Sequence, residues 1–508
     1  MLYFTCFIVP RNHALDPIES PPPIHYNTKG FKGGQNTGPR KGAPLMAKLW
    51  DKGKSTDDMV MEFTTGNDYI IDMNLVPADI LGNIAHVRML HKIGMFNDEQ
   101  LDTIEGGLHA ILEDFKQGKF EITPDMEDVH TAVENALTER IGELGQRIHL
   151  GRSRNDQSIV DMRLYVRDML LQVTVAALDA ADTILHFARR WWDTPMPGYT
   201  HTRPAMPSSM GLWAGAIGEQ ILDDLMLTGA AYALVDQCPL GSAAGYGVNM
   251  KIDREFTSEQ LGFAKVQKNT LAVQNSRGKF ELSVIQACQH LMIDLSRAAA
   301  DIIFFSQAEL GFITIPDSLT TGSSIMPHKK NPDVLELVRS KAAEINGLAS
   351  SVAGMLTGLV SGYSRDLQLT KEPTIKALDI THSSLCIMKR MFEGLVVDDK
   401  KCTAAFTPDL FAADAANEGA IQKNIPFRKA YQIVAENLDK MQMGNPKLIF
   451  KSRTHLGAPG NLKVEDDHKR LDLHRLAIVH RLKTSDDVIK RLLTKTSEGG
   501  QPAPEAKE

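Results

Sequence analysis

The chain has 508 residues, 43% hydrophobic and 23% charged, with a net charge of −7 and a pI near 6.2. That length suits two or three domains, the composition is that of an ordinary soluble globular protein, and the mild acidity gives no hint of a nucleic-acid or membrane partner. The five cysteines, Cys6, Cys238, Cys288, Cys386 and Cys402, are scattered without a CxxC pair. This argues against a zinc site or a disulfide framework and fits a reducing compartment, with a cytoplasmic location as the expectation.

The first ten residues, "MLYFTCFIVP", are apolar but lack a basic segment and are too short for a signal peptide. The Pro-, Gly- and basic-rich stretch behind them predicts a disordered extension over 1–45, with the folded protein starting near Met46. A transit peptide is the other reading. A smaller helical domain is expected over 46–152. No proline occurs between Pro124 and Pro195, between Pro207 and Pro239, or between Pro239 and Pro316. Proline costs about 3 kcal/mol inside a helix, so such gaps permit very long ones. In the first gap Met162, Val166, Met169, Val173, Ala177, Ala180, Ile184 and Phe187 recur at three- and four-residue spacing, a helical apolar stripe. Comparable helices are predicted at 206–236, 279–310, 333–360 and 374–396, with alanines and glycines that allow close packing. No apolar run approaches the ~20 residues that span a bilayer, and strand-like alternation is nearly absent. The fold class expected is mainly α: three helical domains, with a central five-helix bundle over 153–405, a C-terminal helical domain over 406–495 and a disordered tail over 496–508.

Polar, breaker-rich segments punctuate this pattern: "GQRIHLGRSRNDQ" before the first long helix, "PGYTHTRPAMPSS" before the second, "TGSSIMPHKKNPD" before the fourth and "SGYSRDLQLTKEP" before the fifth. Ser, Asp and Asn are common helix caps. Caps alone do not explain the Arg-Asn-Asp, Thr-His and Lys-Lys-Asn combinations, and four such segments on one scaffold point to function. No nucleotide-binding loop or metal constellation is visible.

"GSSIMPHKKNP" resembles the signature loop of the fumarase/aspartase superfamily, whose members release fumarate from a succinyl moiety. "EDVHTAVENAL", "HLGRSRNDQ", "PGYTH" and "YSRDLQLTKE" resemble the argininosuccinate lyase family within it, and "PLGSAAGYG" fits a further family pattern. The resemblance runs from about Lys48 to about Lys463. It implies β-elimination of argininosuccinate to arginine and fumarate, in arginine biosynthesis, with no cofactor and no metal. Such chemistry needs a base, stabilisation of a doubly charged carboxylate intermediate and an acid for the leaving nitrogen.

By resemblance Ser323 is the base, with Ser324 the other candidate. A serine hydroxyl needs nearby positive charge or N–H donors for that task. Lys329 would stabilise the intermediate, beside Asn331. His201 is the acid or orients it, and Glu336 is its carboxylate partner. Ser153, Arg154, Asn155 and Thr200 are implied binders of the succinyl carboxylates, and His130 lies near the site. Tyr363, Gln368 and Lys371 would hold the arginine half, Lys371 against its carboxylate, while Asp72 would meet a cationic group. Arg365 and Asp366 read as a structural ion pair, and His149 and His328 as structural. Thr202 and Arg203 depart from the family's usual Leu-Gln after the histidine of "GYTH", and Leu150 replaces a small hydroxyl residue.

Two other readings stay open: a superfamily lyase acting on a different N-substituted aspartate, and a non-catalytic relative. If successive helices run antiparallel, "GRSRND" and "GYTH" begin at opposite ends of a bundle about 45 Å long. The expected assembly is therefore a homotetramer whose sites are shared between subunits.

Overall fold

A computed structural model describes residues 57–494. The expectations for 1–45, for the start near Met46 and for the tail lie outside these residues. The architecture is carried by α1 (Asp58–Thr65), α2 (Val76–Lys92), α3 (Asp98–Lys116), α4 (Val129–Ile141), α5 (Arg154–Arg190), α6 (Met210–Val235), α7 (Lys279–Phe305), α8 (Asp333–Leu356), α9 (Lys371–Gly394) and α10 (Val464–Leu493). Shorter helices, among them Ala412–Lys423 and Phe427–Ala435, fill the segment between α9 and α10. The fold is mainly α, as the periodicity predicts.

Local chemistry sets the boundaries. α3 starts at a capping box in which Gln100 N donates to Asn97 Oδ1 (2.9 Å) and Asn97 N to Gln100 Oε1 (3.1 Å). α5 starts where Asn155 N donates to Ser153 Oγ (3.2 Å) and Ser153 N to Asp156 Oδ1 (2.9 Å). α6 starts where Leu212 N donates to Ser209 Oγ (3.1 Å).

Helices α5 to α9 form the bundle. The predicted stripe from Met162 to Phe187 is buried throughout. Gly218 on α6 lets α5 come close, since a Cβ there would sit 2.6 Å from Leu185 Cδ2. Helices that follow one another in the chain run antiparallel. Near the end of α5, Phe187 meets Trp213 of the first turn of α6, ring centroids 6.4 Å apart. Trp213 Nε1 donates to Asp301 near the end of α7 (3.0 Å), and its ring stacks on Phe392 near the end of α9 (5.8 Å). At the opposite end Arg163 of α5 donates to Gln237 O just past α6 (2.5 Å) and to Ser276 Oγ just before α7 (2.8 Å). Helix α10 runs back along α5. Arg475 near its middle reaches Asp182 (2.9 Å), and the carbonyls of Arg491 and Leu492 near its end accept from buried Arg88 (3.2 and 3.4 Å).

Two expectations are corrected. Helix α5 is long and apolar enough, by length and composition alone, to cross a membrane; its most apolar stretch is 61% buried inside the protein, so the same apolarity serves bundle packing. Strand structure is also present. "PMPGYT" and "RPAMPSS" pair as an antiparallel hairpin, β1 (Pro195–Thr200) and β2 (Arg203–Ser209), so α6 begins at Met210. Four prolines obscure the alternation, and a lone two-stranded ribbon tolerates them because each strand has a free edge. Three shorter ribbons of two residues a strand are also present among the described residues, one of them pairing β3 (Thr321–Gly322) with β4 (Lys330–Asn331).

Candidate active site

The residues singled out from the sequence fall into two groups, at opposite ends of the bundle. Helix α5 has 37 residues, which at about 1.5 Å per residue is about 55 Å.

The first group surrounds the start of α5. Arg154 Nη2 donates to Thr131 Oγ1 (2.9 Å) and Nη1 to Asp128 Oδ2 (3.3 Å). Burial alone would raise the Asp128 carboxyl, but His130, Arg154 and the Thr131 hydrogen bonds hold it below the usual carboxylate range. Ser153, a substrate binder by resemblance, uses its hydroxyl in the helix cap, and Asn155 is half-buried beside it. His130 is buried, with Nδ1 2.8 Å from Asp79 Oδ1 and 3.5 Å from Asp161 Oδ2, and Nε2 3.5 Å from Ser158 Oγ. Burial and the neighbouring Asp79 raise the Asp161 carboxyl well above its usual range. His149 is pushed down to about 4 by burial and by Arg152 and Arg154, so it is neutral near pH 7.

Lys371 enters this end from the start of α9. Its ammonium is buried and meets Asp72 Oδ1 at 2.5 Å and Asp68 Oδ2 at 3.0 Å. Burial would lower the Lys371 pKa, yet Asp72 and Asp68 raise it. Burial is the main cause lifting Asp68 to about 6. Within the chain, therefore, Lys371 is a matched charge between two carboxylates. Gln368 Nε2 donates to Thr64 O (3.0 Å), and Tyr363 is exposed, with the Arg277 guanidinium 5.1 Å from its ring centroid. The Arg365–Asp366 pair is not formed. Arg365 instead donates to Glu127 (2.7 Å) and Thr64 O (2.9 Å), while Asp366 accepts from the Ser364 hydroxyl next to it.

The second group sits where α5 ends and α6 and α8 begin. His201 and Thr202 form the two-residue hairpin turn, with φ of 53° and 57°. Two successive left-handed residues match the twist of a tight hairpin, and they hold the exposed imidazole at the tip beside Thr200. In the segment between β3 and β4, Ser323 Oγ accepts from Met326 N (3.1 Å) and Ile325 N (3.4 Å). Two N–H donors on one hydroxyl oxygen favour its ionised form. Asn331 Nδ2 donates to Gly322 O (3.4 Å) and ties the base of the loop. Lys329 is exposed and has no ion pair among the described residues. Glu336, on the first turn of α8, is also exposed. The His201–Glu336 contact is not made within one chain: among the described residues neither side chain has a hydrogen bond or ion pair.

Sequence reasoning missed five contributors. Asp68 completes the Lys371 pair, one helical turn before Asp72, and that spacing was visible. Asp156, fully buried, accepts from Gly241 N and Ala243 N (both 2.9 Å), fastening "PLGSAAGYG" to the start of α5. Its place three residues after the Ser153 cap was the available signal. Glu127, at φ 72°, holds Arg365, and the Ile325 and Met326 amides depend on loop conformation that no residue type announces.

Two surface clefts, of about 710 and 450 Å³, contain none of the residues named from the sequence.

A family described as "Lyase" matches residues 51–347. The solved structures with the same fold include EDDS lyase in complex with formate (TM-score 0.73, 23% identity, covering 85% of this chain and 95% of that one). A class II fumarase from Schistosoma mansoni also matches (TM-score 0.63, 15% identity, 77% and 94%). Among curated relatives, an argininosuccinate lyase of Sorangium cellulosum is 43% identical over 85% of this chain and all of its own length. One from Thermotoga neapolitana is 43% identical over 77% of this chain and 98% of its own. The chain belongs to this lyase family and, within it, to the argininosuccinate lyases.

Proposed function

We propose that this protein cleaves argininosuccinate to arginine and fumarate in arginine biosynthesis, as a homotetramer whose sites each draw on several copies of the chain. The observation that carries the reading is the Ser323 hydroxyl, set in an exposed loop with two backbone N–H groups on its oxygen. Those donors favour the ionised hydroxyl that removes the Cβ proton of the succinyl moiety. The electron pair moves into the adjacent carboxylate, and the Lys329 ammonium is available to offset the second negative charge. Collapse of that intermediate forms the carbon–carbon double bond and breaks the bond from Cα to the guanidine nitrogen. His201, oriented by Glu336 of another copy, delivers a proton to that nitrogen. Arg154, Asn155 and Thr200 hold succinyl carboxylates. The Asp68–Lys371–Asp72 group carries two carboxylates against one ammonium, which suits the cationic parts of the arginine half beside Tyr363 and Gln368.

Sharing between copies follows from scale. Argininosuccinate is about a dozen ångströms long from its bond lengths, against the length of α5, so one molecule cannot touch Arg154 and His201 of the same chain. Antiparallel packing of copies brings the two ends together. A cytoplasmic location fits this reading, and the four described cysteines are unpaired. The test is to mix the purified protein with argininosuccinate and follow fumarate absorbance. Fumarate formed together with arginine in equal amounts supports the assignment. Fumarate from a different N-substituted aspartate and none from argininosuccinate overturns it.

A further inference from the structure

Near the far end of α5, Asp182 and His186 lie one helical turn apart, and His468 of the first turns of α10 faces them. Their donor atoms all lie within 4.8 Å of one another. His186 Nε2 is 3.5 Å and His468 Nε2 is 3.9 Å from the same oxygen, Asp182 Oδ1. A tetrahedral zinc ion with ligand bonds of about 2.0–2.2 Å has donor atoms about 3.4 Å apart, so small rotations of the two imidazoles reach that geometry.

The orientation of His468 is the second observation. Its Nδ1 is 2.9 Å from the Val464 carbonyl, which can only accept, so Nδ1 carries a proton. In the neutral ring Nε2 is then a bare lone pair. That nitrogen is shielded from water and has no hydrogen-bond partner, yet it is aimed at a carboxylate oxygen. A ring nitrogen and a carboxylate oxygen facing each other in this way are placed to share one cation. A backbone carbonyl fixing the far nitrogen is also the usual support of a metal-bound histidine. Arg475 occupies only the other carboxylate oxygen, Oδ2 (2.9 Å), and leaves Oδ1 to the imidazoles. The rim is open, His186 having a side chain 63% exposed, which gives an ion an entry path and room for a water ligand.

We infer that Asp182, His186 and His468 form a site for a borderline divalent cation of the zinc type, which clips the start of α10 to the end of α5. Two imidazoles and one carboxylate suit zinc better than magnesium or calcium, which prefer oxygen ligands. The site uses none of Ser323, Arg154 and Lys371, and it supplies no group to the elimination. No local motif announces the site, because the third ligand lies far along the chain from the other two.

The test uses the full-length protein after chelator treatment, titrated with Zn(II) by calorimetry and with Co(II) by visible absorption. The expected result is one ion per chain at this site, a tetrahedral Co(II) band, and a zinc-dependent rise in Tm. In His186→Gln/His468→Gln these are lost or the affinity falls at least tenfold, while fumarate release by the metal-free protein is unchanged. His186→Gln alone alters an exposed side chain, so it keeps the fold and is expected to weaken binding too. Equal stoichiometry and affinity in wild type and both variants, or no binding by wild type, overturns the inference.

Discussion

The two ends of the bundle solve different problems. At the Arg154 end the charged groups are already matched inside the chain: buried Lys371 with Asp68 and Asp72, half-buried Arg154 with Asp128, and exposed Arg365 with Glu127. At the Ser323 end His201, Lys329 and Glu336 are exposed on a hairpin tip, a loop and a helix start, with no ion pairs among the described residues. One end has its charges paired within the chain. The other leaves its chemistry exposed on a hairpin tip, a loop and a helix start. Removing a group at the first end should damage folding as well as binding; at the second it should damage catalysis alone.

The largest effect is expected for Ser323→Ala. Loss of a general base should lower kcat by about 100- to 10,000-fold, with Tm and oligomer size unchanged because the side chain supports only its own loop. Retention of more than a tenth of the turnover would move the role to Ser324. Lys371→Met comes next and breaks the comparison the other way. It leaves two buried carboxylates uncompensated, which should cost about 3–5 kcal/mol in urea unfolding. Wild-type stability paired with a higher KM would make Lys371 a carboxylate binder after all.

Asp68 sharpens the comparison through pH. Its carboxyl is raised to about 6 in the folded chain, above its unfolded value, so the folded state holds that proton more tightly. Its contribution to stability is fullest below pH 4 and falls as pH rises through 6. Relative to Asp68→Asn, the wild type should therefore lose about 1–3 kcal/mol between pH 4 and 7. A pH-independent difference would show that Asp68 titrates normally. The smallest effect is expected for Arg203→Gln, exposed beside the hairpin turn: stability within about 0.5 kcal/mol, with any change confined to KM. A lower Tm would mean that Arg203 supports the hairpin.

What could be read in the sequence follows from range. Helix α6, predicted over 206–236, spans Met210–Val235, and α7, predicted over 279–310, spans Lys279–Phe305, because apolar periodicity and proline gaps are local signals. The hairpin was hidden by Pro195, Pro197, Pro204 and Pro207, which break strand alternation without breaking a two-stranded ribbon. At the site, motif resemblance named Lys371 and Asp72 but not their mutual contact, which joins residues 299 apart in sequence. It paired Arg365 with its neighbour Asp366 because Glu127, 238 residues away, cannot be seen from "YSRDLQ". The Ile325 and Met326 amides on Ser323 are backbone groups, and side-chain identity does not register them.

The measurement that bears most directly on the shared site is complementation between the two ends. His201→Asn chains and Arg154→Ala chains, each inactive alone, are unfolded together in equal amounts, refolded, and checked for mixed composition. If each site takes Arg154 from one copy and His201 from another, random mixing leaves about a quarter of the sites with both groups intact, and fumarate release should return toward that level. If hybrids of verified mixed composition stay as inactive as their parents, the two ends do not meet across copies and the shared-site account is wrong.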